Sequence, residues 1–294
     1  MKMNNLSPFD YIPDIALTEE YRQIKSISKE QLEKHFRENI YQRTEYVLLE
    51  SLYRLPYLTK KNMERFADYR LKGKRYAGYE NVIKKLIQDG CLRRFSYGDM
   101  HLYRLHDGAR DYYKEKLDPR EIHAIHIPPE SDFPSVLESA SLAQWHLSVM
   151  LGSGIKKAYF EEEIRIRKSK VYIPSYLEVE NGSIRYKVLS FSVPKVDLHM
   201  EPFMESIKKV KEALYKWELS LKREIFLIVI VCANTDEIKQ LGRLFANMKD
   251  TQKLHLYYVA DQNTVFSKGL DLLYTADIEN GNQVLKTLRL KNER

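Results

Sequence analysis

Hydrophobic residues between Thr44 and Leu55 recur every three or four positions, a spacing that predicts an amphipathic helix. Pro56 is expected to end this helix, because proline has no backbone N–H to continue the hydrogen-bond ladder. Thr59 then has the side chain and position of an N-cap, which predicts a second helix that buries Met63 and Phe66.

The same pattern predicts a third helix from about Tyr76 to Gln88, ended by Gly90 as a C-cap glycine. Its core face is expected to hold four aliphatic residues, Val82, Ile83, Leu86 and Ile87. Two strand-like runs follow, joined by a tip at Gly98-Asp99, which predicts a β-hairpin. A closing helix is expected to begin around His106. Three helices followed by a hairpin are typical of a winged helix-turn-helix, which we place at residues 41–117.

Residues 1–40 are predicted to form an N-terminal arm, or a surface-packed segment, and one helix capped by Ser26 or Ser28. Residues 118–135 contain four prolines and no strong period, which indicates an interdomain linker. The linker also contains His123 and His126, a weak metal signal because no cysteine or carboxylate pattern accompanies them.

Helical and strand-like periods alternate in residues 136–294, which predicts an α/β domain around a mixed sheet and an α+β chain as a whole. We expect this domain to serve dimerisation or partner binding. Its predicted helices are Ser135–Met150, Glu201–Leu221 and Glu237–Met248. Its predicted strands are Tyr159–Ile166, Val171–Pro174, Ile184–Val193, Ile225–Cys232 and Leu254–Val259, and Leu270–Thr275 is expected to form a last short element.

A length of 294 residues with 44% hydrophobic residues favours two packed domains. Cys91 and Cys232 lie far apart in apolar runs, which predicts buried free thiols and a reducing, cytoplasmic location. No leader-like or membrane-spanning run is seen, since the longest apolar stretch runs only from Ile225 to Ala233. We expect no metal and no cofactor.

The net charge of +7 is concentrated in residues 60–94, where 11 lysines and arginines face 4 acids, so that 11 − 4 = +7. A local basic patch of this kind is typical of phosphate binding, although a solvated helix face would give the same run. Its coincidence with the winged-helix pattern favours double-stranded DNA as the partner.

The residues expected to contact DNA lie on the second and third helices and on the hairpin, or wing. In this geometry the third helix enters the major groove, where Asn81 has the chemistry to read adenine. Tyr76 and Tyr79 have packing against neighbouring helices as an alternative role, and Lys85 sits towards the side of the helix. The predicted contacts are Lys60, Lys61, Lys72, Lys74, Arg75, Tyr76, Tyr79, Asn81, Lys84, Lys85, Arg93, Arg94, Tyr97 and His101.

The chain resembles the plasmid-associated replication-relaxation family over roughly residues 40–275. The resemblance rests on Leu52-Tyr53-Arg54-Leu55 at the end of the first helix and on Leu58-Thr59 at the start of the second. It continues through a basic third helix that ends in a pattern of leucine, glycine, leucine and arginine. The matching residues are Leu86, Gly90, Leu92 and Arg93. The wing then ends with Tyr103, Leu105 and Gly108. Many winged-helix regulators share such patterns.

In that family the second half looks like a restriction-endonuclease core, whose nuclease members hold metal on acids at Pro-Asp and at a following Asp/Glu-x-Lys. The present chain departs from that pattern, because Ser175 follows Pro174 and Ser192 stands where the next acid would be. A displaced metal site would have to use the remaining acids and histidine nearby, Glu163, Glu178, Asp197, His199 and Glu201. The resemblance therefore implies a degenerate nuclease-like domain without catalytic residues.

These observations lead to one main hypothesis and two alternatives. The main hypothesis is a homodimeric DNA-binding protein that acts in transcription regulation or in plasmid replication and copy-number control, with no membrane association. The first alternative is an Mg²⁺-dependent nuclease or relaxosome component. The second is a non-enzymatic adaptor that uses its winged helix to bind protein.

Overall fold

A computed structural model describes residues 6–72, 78–117, 128–152, 155–166, 169–181, 184–218, 224–246, 256–261, 270, 272–279 and 282–288. The fold is a mixture of helices and strands with two separate sheets. The chain divides into two compact units, and among the described residues the first ends at Gln144 and the second begins at Trp145. This boundary falls inside a long helix.

The first unit begins with β1 (Thr18–Glu20), α1 (Lys29–Arg37), α2 (Arg43–Arg54), β2 (Leu58–Thr59) and α3 (Lys60–Arg70). It continues with α4 (Tyr79–Gln88), the hairpin strands β3 (Leu92–Tyr97) and β4 (Met100–Leu105), and α5 (Asp107–Lys116). The last helix, α6 (Phe133–Gly152), contributes its residues up to 144.

Local sequence signals set several of these boundaries as predicted. Ser28 caps α1 and Thr59 caps α3, each by accepting a hydrogen bond from a backbone N–H three residues on. Gly90 follows α4 with a positive φ of 72°, and Gly98 lies at the hairpin tip with a φ of 57°. Tyr97 pairs with Met100, so the hairpin turns in two residues as expected.

The structure adds detail to two expectations about the first unit. The described part of the third helix begins at Tyr79, with Gly78 in the N-cap position, and Tyr76 falls outside the described residues. Apolar residues between Leu6 and Leu17 pack against the cluster beneath the hairpin, which is the surface-packed alternative expected for this segment. Thr18–Glu20 pairs antiparallel with β3, which extends the hairpin sheet to the order β1-β3-β4-β2.

The N-terminal residues also pack against the hairpin. The backbone N–H of Ile12 donates to the Tyr97 hydroxyl at 2.5 Å, and that of Leu6 reaches the Asp99 carboxylate at the hairpin tip. The buried cluster beneath the hairpin includes Tyr57, Phe95, Tyr97, Met100 and Leu102 together with the first turns of α6. One side of the predicted wing is therefore covered by protein.

The second unit contains a seven-stranded sheet in the order β11-β10-β9-β8-β7-β6-β5. Its strands are β5 (Ile155–Ile166), β6 (Ser169–Asn181), β7 (Ile184–Ser192), β8 (Glu224–Cys232), β9 (Leu256–Ala260), β10 (Leu273–Glu279) and β11 (Asn282–Leu288). Strands β5 to β7 are antiparallel neighbours, β7, β8 and β9 run parallel, and β10 and β11 return antiparallel. The mixed sheet was predicted, but β11 was missed because its polar sequence carries no clear alternation.

Helices α7 (Met200–Glu218) and α8 (Thr235–Ala246) supply apolar residues to one face of this sheet. Leu189 and Phe191 of β7 lie in that core, whereas Ser190 and Ser192 alternate with them and point to the other face. Trp145 of α6 contacts that second face through Ser190. The second unit is thus layered as helix, sheet and helices.

Cys91 and Cys232 are both buried free thiols, as predicted. Across the described residues, no helix combines the length and the apolar character needed to cross a bilayer.

Candidate nucleic-acid interface

Helices α3 and α4 carry several of the residues that the sequence predicts to contact DNA. Helix α4 buries Val82, Ile83, Leu86 and Ile87, which turns the opposite face of the helix to solvent. That exposed face carries Glu80, Asn81, Lys84 and Gln88. Asn81 and Lys84 are therefore accessible, as expected.

The N-terminal ends of α3 and α4 are joined by ion pairs around Glu80. Lys60 Nζ donates to Glu80 Oε2 at 2.8 Å, and Lys84 Nζ lies 2.9 Å from Glu80 Oε1. Hydrogen bonds from these two lysines lower the pKa of Glu80 to about 2. Glu64 Oε1, one turn further along α3, lies 4.0 Å from Lys60 Nζ. We refer to Lys60, Glu80 and Lys84 as the helix-end cluster.

Two further predicted contacts lie near this cluster in sequence. Lys61 is exposed on the first turn of α3, and Lys72 is exposed just after α3 with a positive φ of 57°. Lys74, Arg75 and Tyr76 fall outside the described residues.

Two tyrosines predicted to face DNA are buried instead. Tyr79 is packed into the core of the first unit, and its hydroxyl donates to Asp68 at 2.8 Å. Tyr97 is fully buried beneath the N-terminal residues. Each has an apolar ring that fills the core and a hydroxyl with a partner inside the protein, so neither offers a surface for DNA.

The wing arginines are held by carboxylates from distant parts of the sequence. Arg93 forms two hydrogen bonds with Glu19, at 2.6 and 2.5 Å, and a third with Glu130 at 2.7 Å. Arg94 lies 3.1 Å from Glu20 and also contacts His101. Burial, reinforced by the Arg94 charge, lowers the pKa of His101. In this conformation Arg93, Arg94 and His101 are partly exposed and engaged with carboxylates of the protein, so a contact with DNA would have to compete with these pairs.

Lys85 is also engaged within the protein. Its ammonium donates to the Ile40 carbonyl at 3.0 Å, lies 3.9 Å from Glu45, and sits 4.7 Å from the ring centre of Tyr41. This position agrees with its expected place towards the side of the helix.

The basic patch is consequently weaker than the sequence count suggested. Residues 60–94 contain 11 cations and 4 acids, but the fold brings five further carboxylates against that window. They are Glu19, Glu20, Glu45, Glu50 and Glu130. Because each of them pairs with a cation of the window, the positive surface that the described part of the window retains lies around the ends of α3 and α4.

In the second unit, the positions where the resemblance would place metal-binding acids form a buried uncharged cluster. His146 Nε2 is hydrogen-bonded to the Ser175 hydroxyl, and Trp145 Nε1 donates to Ser190 Oγ at 2.8 Å. Burial lowers the pKa of His146 to about 3, which keeps the imidazole neutral. Ser192 is also buried, and its hydroxyl has no hydrogen-bond partner among the described residues. Hydroxyls and a neutral imidazole lack the charge that Mg²⁺ requires.

The remaining acids that a displaced site would use do not converge among the residues that the structure describes. Glu178 accepts a hydrogen bond from Tyr176 at 2.9 Å, whereas Asp197, His199 and Glu201 are exposed around the start of α7. The side chain of Glu163 lies outside the described residues. Within the described part of the chain, no three residues of the His, Cys, Asp and Glu types are grouped to hold a metal ion.

Sequence reasoning missed Glu80 and His146. Glu80 was counted only as an acid that offset the patch, although its place one residue into α4 and four before Lys84 indicated an exposed ion pair. His146 gave no usable signal, since a single histidine in an apolar helix is ordinary core sequence.

Comparisons with known proteins add little to this geometry. No protein-family model matches the chain, and a search of curated proteins finds no match. Among solved structures, the restriction endonuclease FokI is similar at 13% sequence identity over 85% of this chain and 48% of that chain, with a TM-score of 0.26. The chain thus spans about half the length of that protein. At this TM-score the similarity carries no argument about fold or function.

Proposed function

We propose that the chain is a DNA-binding protein whose first unit contains a winged helix-turn-helix at residues 41–117. The order of elements supports this proposal, since α2, β2, α3 and α4 precede the β3-β4 hairpin. The short strand β2 lies beside β4, on the side of the hairpin away from β3. Helix α4 is then the helix that enters the major groove.

The observation that carries the proposal is the convergence of exposed cationic and amide side chains on the first turn of α3 and on the outer face of α4. Lys60 and Lys61 lie on the first turn of α3, and Asn81 and Lys84 lie on the outer face of α4. The N-terminal end of a helix also carries a partial positive charge, which favours nearby phosphates. Both helices therefore offer the same kind of surface to a DNA backbone.

For the second unit we propose a nuclease-derived scaffold that no longer cleaves. A helix, three antiparallel strands, a helix and a parallel strand follow one another from α6 to β8, the order expected for a restriction-endonuclease-like core. The buried Ser175 and Ser192 stand where that core would need carboxylates. Such a scaffold would act in homodimer assembly, and the whole protein in cytoplasmic transcription regulation or plasmid replication and copy-number control.

One observation favours the adaptor function as a second candidate. The wing, which a DNA-binding unit would turn towards the backbone, has its arginines paired with Glu19, Glu20 and Glu130. A surface of paired charges is as suitable for a protein partner as for DNA. The decisive difference is that binding to DNA releases counterions and therefore weakens steeply with salt.

Fluorescence anisotropy with a random-sequence DNA duplex tests the proposal. We expect binding at low salt, and we expect the logarithm of the binding constant to fall linearly with the logarithm of the NaCl concentration. Absence of affinity for DNA at low salt would favour the adaptor.

A nuclease assay tests the remaining alternative. Incubation of supercoiled plasmid with the protein and Mg²⁺ or Mn²⁺ is expected to leave the plasmid intact. Nicking of the plasmid that Glu163→Ala abolishes would establish the nuclease alternative instead.

A further inference from the structure

Glu80 is the first exposed side chain of α4, the helix that the proposed function places in the major groove. Residues near the beginning of a recognition helix are those that contact base edges. A carboxylate at this place is costly beside phosphates, so its presence on the surface proposed to face DNA needs an explanation.

The two neighbouring lysines hold the carboxylate in one orientation. Lys60 bonds to Oε2 and Lys84 to Oε1, so each oxygen keeps a second acceptor site for another donor. Because the lysines come from different helices, the Glu80 side chain is fixed from two sides without being buried.

The chemistry of the cluster fits one kind of base pair. An ionised carboxylate only accepts hydrogen bonds, and in the major groove it accepts from the N4 amino group of cytosine. Guanine presents two acceptors, O6 and N7, beside that amino group, and lysine is a donor to both. Glu80 with an adjacent lysine therefore matches the donor and acceptors of a C·G pair. Thymine O4 would instead repel the carboxylate.

We propose that Glu80 is a specificity-determining residue that reads the cytosine of a C·G pair in double-stranded DNA, with Lys84 directed to the paired guanine. This inference rests on the proposed function. It differs from a purely structural role, in which Glu80 only links α3 to α4 and has no influence on base preference.

Selection of bound duplexes from a random pool tests the inference with the whole chain, Glu80→Gln and the control Glu64→Gln. Glu64 also lies beside Lys60 but projects from α3, so it controls for the loss of a carboxylate near that lysine. The wild type and the control are expected to select a C·G pair at one position. Glu80→Gln is expected to lose that preference or change it to A·T, since glutamine pairs with adenine, and to keep the preferences at other positions.

Replacing that C·G pair by T·A should weaken wild-type binding on the order of 5- to 150-fold and Glu80→Gln binding much less. A duplex with pyrimidin-2-one at the cytosine position lacks only the N4 amino group and tests the same contact without a protein variant. The same base preference in Glu80→Gln as in the wild type, or full wild-type affinity for the pyrimidin-2-one duplex, would overturn the inference. Failure of the wild type to bind any duplex would instead overturn the proposed function.

Discussion

Arg93 of β3 holds Glu19 of β1 through two parallel hydrogen bonds, from Nε to Oε1 at 2.6 Å and from Nη2 to Oε2 at 2.5 Å. The pair connects a strand near the N-terminus to a hairpin more than seventy residues later in the chain. Glu19 is one of five carboxylates that neutralise cations of the basic window, and its pair with Arg93 is expected to stabilise the first unit.

Glu19→Gln is expected to destabilise the first unit by about 1–3 kcal/mol at pH 7, because it removes a charge-assisted, largely buried hydrogen-bond pair. The hydrogen bond from Arg93 lowers the pKa of Glu19 below its usual 4.5. The stabilisation is therefore complete above about pH 4.5 and is lost as pH falls through the folded pKa. Hydrogen exchange of peptides from residues 92–105 measures the effect. The control Glu38→Gln breaks only an exposed pair with Lys34 and should change little.

Glu50 provides a second test, since its carboxylate is buried between Arg54 at 2.8 Å and Arg70 at 3.3 Å. Replacing both arginines by methionine leaves a buried charge without a partner and is expected to cost about 3–5 kcal/mol. Adding Glu50→Met to that variant should recover most of the loss. Urea denaturation followed by far-ultraviolet circular dichroism compares the variants. A triple variant as unstable as the double variant would show that packing, and not the buried charge, determines the cost.

Gly90 is required by both its backbone conformation and its surroundings. Its φ is 72°, and a Cβ added there would lie 2.0 Å from the Lys25 carbonyl oxygen. Gly90→Ala is therefore expected to destabilise the first unit by at least about 2 kcal/mol. Gly98→Ala is the matched control, because Gly98 also has a positive φ but lies exposed at the hairpin tip. Equal losses of thermal stability in the two variants would contradict the close contact with Lys25.

The buried His146 is expected to make the stability of the second unit depend on pH. Burial lowers its pKa to about 3, so the folded state stays neutral at pH values where the unfolded histidine, near its usual 6.5, binds a proton. The neutral His146 therefore makes its full contribution to the free energy of unfolding above about pH 6.5. Below that pH, the free energy of unfolding should fall by about 1.4 kcal/mol for each pH unit. Both tryptophans belong to the second unit, so urea unfolding followed by their fluorescence reports on it. His146→Gln should flatten the dependence between pH 6.5 and 4, and an unchanged slope would contradict the buried neutral state.

Local chemistry made much of the first unit predictable. Ser28, Thr59, Gly90 and the Gly98-Asp99 tip act within a few residues, and the structure has them in their expected roles. The charge of the surface was not predictable in the same way. Glu19, Glu50 and Glu130 reach the basic residues only through long-range packing, which no window of the sequence contains.

In the second unit, too, local sequence predicted the strands, whereas contacts between distant residues were not predictable. Local patterns of apolar residues located its strands up to β9, whereas the contact between His146 and Ser175 depends on how α6 lies against the sheet. Absence of aspartate after Pro174 was visible in the sequence, but the neutral histidine opposite that position was not.

The salt dependence of duplex binding by Lys61→Ala/Lys84→Ala tests most directly whether DNA binds at the first turn of α3 and the outer face of α4. On a random duplex most binding positions lack the C·G pair proposed for Glu80, so Lys84 is expected to contact phosphate there, as Lys61 does. Loss of both lysines should therefore weaken binding and reduce the slope of log K against log[NaCl] by about 2. The control Lys29→Ala/Lys116→Ala removes the same charge from exposed ion pairs elsewhere in the first unit and should leave the slope unchanged. Wild-type affinity and slope in Lys61→Ala/Lys84→Ala, or an equal loss in the control, would contradict the account.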